Sequence, residues 1–298
     1  MRLRQITIIG TGLIGGSFAL ALKKRRFKGK IVGCDRAPVL ETARRKGVID
    51  KGHVDAMQAI QGSQIVLLAT PVGVILDLMG RVGPALPDTA LLTDVGSTKV
   101  EVLTQARRVF RKDSRRRFLG GHPMAGKEEA GAEFSDPDLF EGTTWFLTPV
   151  AGQSIRDGLT AEFVTWLKKI GARATTIEAE THDRLCAWIS HLPQMISTAL
   201  AAGLVDEFGK DAPVLQSGGR ALREMTRISA SPYSMWRDIA LTNKKNIREA
   251  LWKLEQRLAH VRENLDSRGL AAEFDCAHRL QKLLPHTHGN TKKSIHRK

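Results

Sequence analysis

A chain of 298 residues, 42% hydrophobic and 26% charged, is long enough for two domains and too apolar to be disordered. No stretch approaches the ~20 unbroken apolar residues of a membrane span, and no signal-peptide pattern opens the chain, so a cytoplasmic protein away from membranes is expected. The formal net charge of +15 raises nucleic-acid binding. The basic clusters at 23–26, 107–117 and 292–298 carry no recognised nucleic-acid motif, however, and the first complements a helix C-terminus, so nucleic acid is not an expected partner.

Short β-branched runs alternate with helical stretches over the first part of the chain, at 6–10, 30–35, 64–70, 90–96, 118–123, 143–149 and 172–178. Strands separated by helices predict an α/β fold with a doubly wound parallel sheet across residues 1–178. From residue 179 apolar residues recur at helical spacing, notably over 180–207 and 238–266, predicting an all-helical domain through 285. Its helices carry Trp188, Trp236 and Trp252 and are expected to bury apolar surface across a homodimer. Residues 286–298 are polar and basic and are expected to form a disordered tail. The cysteines Cys34, Cys186 and Cys276 lack metal-ligand spacing, so neither a disulfide framework nor a metal site is expected.

The first strand runs into Gly10-Thr11-Gly12-Leu13-Ile14-Gly15, a G-x-G-x-x-G between strand and helix. Gly10 permits the tight turn, Gly12 lets the backbone approach a pyrophosphate, and Gly15 lets helix and strand pack closely. Asp35 ends the second strand 20 residues after Gly15, the spacing of the carboxylate that holds ribose hydroxyls. Together they predict a Rossmann-type dinucleotide site. Asp35 favours NAD, because a 2′-phosphate would meet a like charge, while the adjacent Arg36 leaves NADP as the less favoured choice. Thr70 and Pro71 follow the next strand and are expected to line the nicotinamide half.

Four further segments are rich in reactive side chains: GSTK at 96–99, GGHPMAGKEEAG at 120–131, SHLPQMI at 190–196 and TRISASPYSMWRDI at 226–239. With the glycine fingerprint, and in this order, they resemble the prephenate/arogenate dehydrogenase family over nearly the whole chain. The resemblance implies a dinucleotide-binding domain followed by a helical dimerisation domain. It also implies NAD-dependent oxidative decarboxylation of a cyclohexadienyl dicarboxylate on the route to tyrosine.

The same resemblance implies roles. His122 matches the catalytic histidine, and a neutral imidazole can take a hydroxyl proton. Ser97 matches the serine that hydrogen-bonds both histidine and substrate; read alone, it is a helix N-cap. Arg227 matches the arginine that grips the side-chain carboxylate, a task suited to a planar bidentate donor. Glu224 and Trp236 match residues that gate the pocket, against plainer readings as a solvated helix charge and a core aromatic. His191 matches the first histidine of the S-H-L-P segment, or is a packed core histidine. Where relatives often carry a second histidine, this chain has Gln194, a neutral donor and acceptor. Lys127 and Glu128 follow His122 in a loop expected to touch substrate. The stretches ahead of Gly10 and after Pro285 leave no room for fused mutase or regulatory domains, so any tyrosine feedback is expected at the active site. The sequence leaves prephenate and arogenate both open as substrates.

Two other readings compete. A β-hydroxyacid dehydrogenase or imine reductase shares the build, but normally lacks the G-H-P-x-A-G segment found at 121–126. A non-catalytic dinucleotide sensor has no need for His122, Ser97 and Arg227 together.

Overall fold

The computed structural model describes residues 3–283 except 128, 130, 210 and 211, so the expectations for Glu128 and for the 286–298 tail lie outside the described residues. Strand β1 (Gln5–Ile9) leads through the glycine turn into α1 (Leu13–Lys24), followed by β2 (Lys30–Cys34), α2 (Ala37–Arg45), β3 (Lys51–His53) and α3 (Ala56–Ala59). Next come β4 (Ile65–Leu68), α4 (Val72–Val82), β5 (Leu91–Asp94), α5 (Val100–Phe110), the short α6 (Ser114–Arg117) and β6 (Phe118–Pro123). β7 (Thr144–Thr148), α7 (Gly158–Lys169) and β8 (Arg173–Thr176) complete the sheet.

The eight strands lie in the order β3-β2-β1-β4-β5-β6-β7-β8. Every neighbouring pair is parallel except β6–β7, which is antiparallel with His122 opposite Phe146. The sheet is thus parallel, as expected from sequence, apart from this one pair. A parallel return needs a crossover, usually helical, whereas the described residues of 124–143 contain only the 3₁₀ turn Ala132–Phe134. β3, with the sequence KGH, is also absent from the strands expected from sequence.

β1 and β4 are buried along most of their length, with Ile8, Ile65 and Leu67 fully enclosed, as a central parallel sheet covered on both faces requires. One cluster joins Phe18 of α1 and Phe163 of α7 to Trp145, with ring centroids 5.7–6.2 Å apart. The other joins Ile75 and Met79 of α4 to Val102, Leu103 and Ala106 of α5. With both faces filled, the carboxyl edges of the strands and the turns leaving them remain for chemistry.

The remaining described residues are helical: α8 (Ala179–Cys186), a π-helical turn (Ala187–His191), α9 (Leu192–Phe208), α10 (Ala212–Gln216), α11 (Arg220–Thr226), a 3₁₀ turn (Arg227–Ala230), α12 (Tyr233–Thr242), α13 (Lys244–Glu263) and α14 (Arg268–Leu283). By packing, the described residues form two compact units that divide between Ile247 and Arg248. In the second unit Arg257 of α13 pairs with Glu273 of α14 at 3.2 Å, and Trp252, Leu258, Phe274 and Leu280 are exposed. In the first unit, Trp188 and Ile189 of the π turn and Val205 and Phe208 of α9 are exposed too. Among the described residues no helix is long and apolar enough to cross a membrane.

Candidate active site

The glycine turn is built as its residue types demand. Gly10 has φ +96°, and a Cβ there would overlap the Ala69 carbonyl. A Cβ on Gly15 would overlap the Gly10 carbonyl oxygen and lie 2.8 Å from Ile8 Cγ2, whereas one on Gly12 meets no protein atom within 4 Å. Gly12 is the N-cap of α1, and neither a capping side chain nor an acidic residue occupies the first turn at Leu13 and Ile14. The positive helix end is therefore open to phosphate. Asp35 is held ready beside it: Oδ2 accepts from Thr11 N at 2.7 Å and Oδ1 from Arg36 N at 2.8 Å, with the Arg36 side chain exposed. Thr70, before Pro71 at the N-cap of α4, has a buried Oγ1 with no hydrogen-bond partner among the described residues. An open glycine, an uncapped helix end, an oriented carboxylate and an unmatched buried hydroxyl fit a dinucleotide.

His122 sits near the end of β6 and is only 7% exposed. The preceding residue is clamped: Asp94 Oδ1 accepts from Gly121 N at 3.0 Å, and Lys99 Nζ donates to Gly121 O at 2.7 Å. Asp94 and Lys99 also pair with each other, both fully buried. A buried pair of this kind is tolerated because each charge has further polar partners. Here these include Gly96 N, which donates to Asp94 at 2.8 Å.

The His122 ring makes no hydrogen bond to Ser97 among the described residues. Its Nδ1 lies 2.8 Å from Nε2 of His182 on α8, and His182 Nδ1 lies 2.8 Å from Asp183 Oδ1. Cys186 Sγ lies 3.4 Å from His182 Nε2, and Phe146, opposite His122 on β7, packs edge-to-face on His182 at 5.5 Å. Burial drives the His122 pKa well below its ordinary value, with His182 and Lys99 pushing the same way. Burial lowers His182 too, opposed by its bond to Asp183. Both rings are accordingly neutral near pH 7. The Cys186 thiol is pushed up to about 12 by burial, so it stays protonated. The three donor atoms fall within 4.8 Å of one another, but the imidazoles touch directly, which marks a hydrogen-bonded group.

A second cluster lies next to this one. Asn243, at the end of α12, donates from Nδ2 to Asp183 O at 2.7 Å and to His191 Nδ1 at 3.2 Å. Because the amide donates, His191 Nδ1 accepts and Nε2 carries the proton. That Nε2 is buried with no partner among the described residues, and the ring meets Trp236 edge-to-face at 6.0 Å. Burial holds His191 neutral, with its pKa down to about 4. Gln194 donates from Nε2 to Ile228 O at 2.9 Å, fastening α9 to the turn that begins with Arg227.

The family model for the nucleotide-binding domain of prephenate dehydrogenase matches residues 18–176, and the model for its dimerization domain matches 178–275. The chain belongs to the prephenate dehydrogenase family. The prephenate dehydrogenase of Lactococcus lactis subsp. cremoris is 33% identical over 87% of this chain and 70% of its own length. That of Bacillus subtilis is 34% identical over 81% of this chain, which spans 65% of the relative. The crystal structure of the A. aeolicus prephenate dehydrogenase, in complex with hydroxyphenyl propionate and NAD+, superposes with a TM-score of 0.81 at 30% identity, covering 95% of this chain and 96% of that one.

Within this prephenate dehydrogenase family fold, the expected residues divide. His122, His191 and Trp236 are drawn into one continuous set of contacts through His182, Asp183 and Asn243, and Gln194 is fastened separately to Ile228. Ser97 is half-buried in the turn before α5 and makes no side-chain hydrogen bond among the described residues. It is not the N-cap of α5 either. Lys99 holds that position, and Asp183 supplies the cap by accepting from Lys99 N at 2.7 Å and Val100 N at 3.0 Å. Glu224 is exposed and pairs with Arg220 one helical turn away, Arg227 is exposed, and Lys127 pairs with Asp136 at 2.8 Å. His182, Asp183, Lys99 and Asn243 were missed from sequence. A histidine followed by an acid within a helix, and a lysine after a threonine, offer no local signal of their partners.

Proposed function

We propose that this chain catalyses the NAD-dependent oxidative decarboxylation of prephenate to 4-hydroxyphenylpyruvate, with arogenate, yielding tyrosine, as the other candidate substrate. The observation that carries this reading is His122, a buried neutral imidazole whose Nδ1 is occupied by His182, leaving Nε2 to accept a proton. It stands at a carboxyl strand edge of the sheet whose β1 edge carries the dinucleotide turn. Nε2 takes the proton of the ring C4 hydroxyl as the C4–H bond breaks, a role worth ~10²–10⁴-fold in rate. NAD, held by the Gly10–Gly15 turn and Asp35, would supply the acceptor for the hydride from C4. The ring carboxylate leaves as carbon dioxide, the ring becomes aromatic, and the proton on His122 returns to the phenolic oxygen.

His191 Nε2–H donates to a polar group of the substrate, and Gln194 and Trp236 shape that end of the site. Arg227 binds the side-chain carboxylate, Glu224 gates the pocket, Lys127 touches the substrate, and Ser97 bonds the C4 hydroxyl. The helical region from residue 179 pairs two copies into a homodimer, and the cytoplasm is its compartment. The test is the initial rate of NADH formation by the purified chain with prephenate and with arogenate. Turnover of either supports the reading, and the ratio of kcat/KM values assigns the substrate. No turnover of either with NAD or NADP overturns it.

A further inference from the structure

We infer that His182 and Asp183 are positioning residues that fix the tautomer of His122, so that its Nε2 is always the bare nitrogen presented to the substrate hydroxyl. This rests on His122 being the base. Each hydrogen bond allows only one assignment. The Asp183 carboxylate can only accept, so the 2.8 Å contact makes His182 Nδ1 the protonated nitrogen. In a neutral ring Nε2 must then be an acceptor, and the Cys186 thiol at 3.4 Å, a donor because it stays protonated, agrees with that polarity. The 2.8 Å contact to His122 therefore has His122 Nδ1–H donating to His182 Nε2, and His122 Nε2 is left without a proton. The chain is Asp183⁻, His182, His122, substrate, with every bond pointing the same way.

The arrangement is held from both sides. Asp183 is fixed by Lys99 N and Val100 N at the head of α5. His122 is fixed by the Asp94–Lys99 clamp on Gly121. The groups facing the two rings are Asp183 and Cys186 from α8, His191 from the π turn, Asp94 from the end of β5 and Lys99 from the turn before α5. Asp183 contributes the negative charge that favours the imidazolium formed when His122 takes the proton. This is the logic by which a carboxylate behind a catalytic histidine sets tautomer and stabilises imidazolium, where amide replacement costs up to ~10⁴-fold. Here the logic is extended by one ring.

The direct test is nitrogen-15 NMR of the full-length protein labelled in histidine, at pH 7.5. His122 and His182 should both appear with Nδ1 protonated and Nε2 unprotonated; His122 protonated at Nε2 overturns the proposal, whatever the enzyme's turnover. Kinetics supply the second test. An amide at 183 offers a single oxygen to three donors, so Asp183→Asn should lower kcat ~10²-fold or more with KM changed less than about threefold. Removing the negative charge disfavours protonated His122, so the acid limb of kcat should move to lower pH. His182→Gln keeps an acceptor for His122 and should retain more than about a tenth of kcat, whereas His182→Leu should lose ~10²-fold. If Asp183→Asn melts normally, binds NAD normally, and keeps the wild-type kcat and acid limb, the proposal fails. If Asp183→Asn does not fold, the wild-type spectrum and the two His182 variants decide. Absence of wild-type turnover would count against the proposed reaction and leave the tautomer measurement standing.

Discussion

Replacing Lys99 with methionine should separate the buried clamp from ordinary packing. The side chain is fully buried against an equally buried Asp94 and donates to Gly121 O at 2.7 Å. Methionine nearly preserves the volume but leaves Asp94 charged and partly unmatched, a situation that costs ~3–5 kcal/mol. At ~2–4 °C per kcal/mol for a domain of this size, the melting temperature should fall by roughly 6–20 °C. Because Gly121 precedes His122, kcat should fall as well. Urea unfolding at pH 7 gives the free energy and calorimetry the midpoint. Pairing Lys99→Met with Asp94→Asn removes both charges and should recover about half the loss, since neutral replacements of buried ion pairs are often tolerated. A single variant within about 1 kcal/mol of wild type, or a double variant no better than the single, would refute the clamp.

The glycine turn predicts a clean division between folding and binding. Gly12→Ala meets no protein atom within 4 Å at an ordinary φ of −71°, so it should fold normally yet bind NAD weakly, whereas Gly15→Ala overlaps backbone and should lose ~1–3 kcal/mol of stability in urea melts. Asp35→Ala should raise the NAD dissociation constant ~10–100-fold in fluorescence titrations and narrow its preference over NADP, as expected for loss of a charged hydrogen bond. Folding keeps His191 neutral with a pKa near 4, below the value near 6.5 of the unfolded chain. The native state thus binds fewer protons between pH 6.5 and 4, and stability is present above that window and lost as pH falls through it. The loss is on the order of 3 kcal/mol from this residue, and His191→Gln should flatten that part of a urea stability–pH curve.

What the sequence made legible was local. Gly10, Gly12, Gly15 and Asp35 could be read because turn chemistry and strand periodicity act over about thirty residues, and His122 because its neighbours form a recognisable segment. Strand direction at β6–β7 was not legible, since alternation gives the same pattern in either direction, and three residues as polar as Lys51–His53 leave no strand signal. The partners of His122 were hidden for a different reason. His182 is 60 residues away and meets it only because α8 packs beside the sheet, a contact that neither periodicity nor capping rules encode. Likewise the cap of α5 comes from Asp183, 84 residues from Lys99, which is why Ser97 looked like the cap when read locally.

The most direct measurement of the central claim compares wild type with His122→Asn in steady-state NADH formation on the preferred substrate, alongside NAD affinity by fluorescence. The account predicts a fall in kcat of ~10² or more, with NAD binding and melting temperature unchanged. A variant that turns over at the wild-type rate would contradict it, because the bare Nε2 of His182 is taken by His122 and the Nε2 of His191 carries its proton.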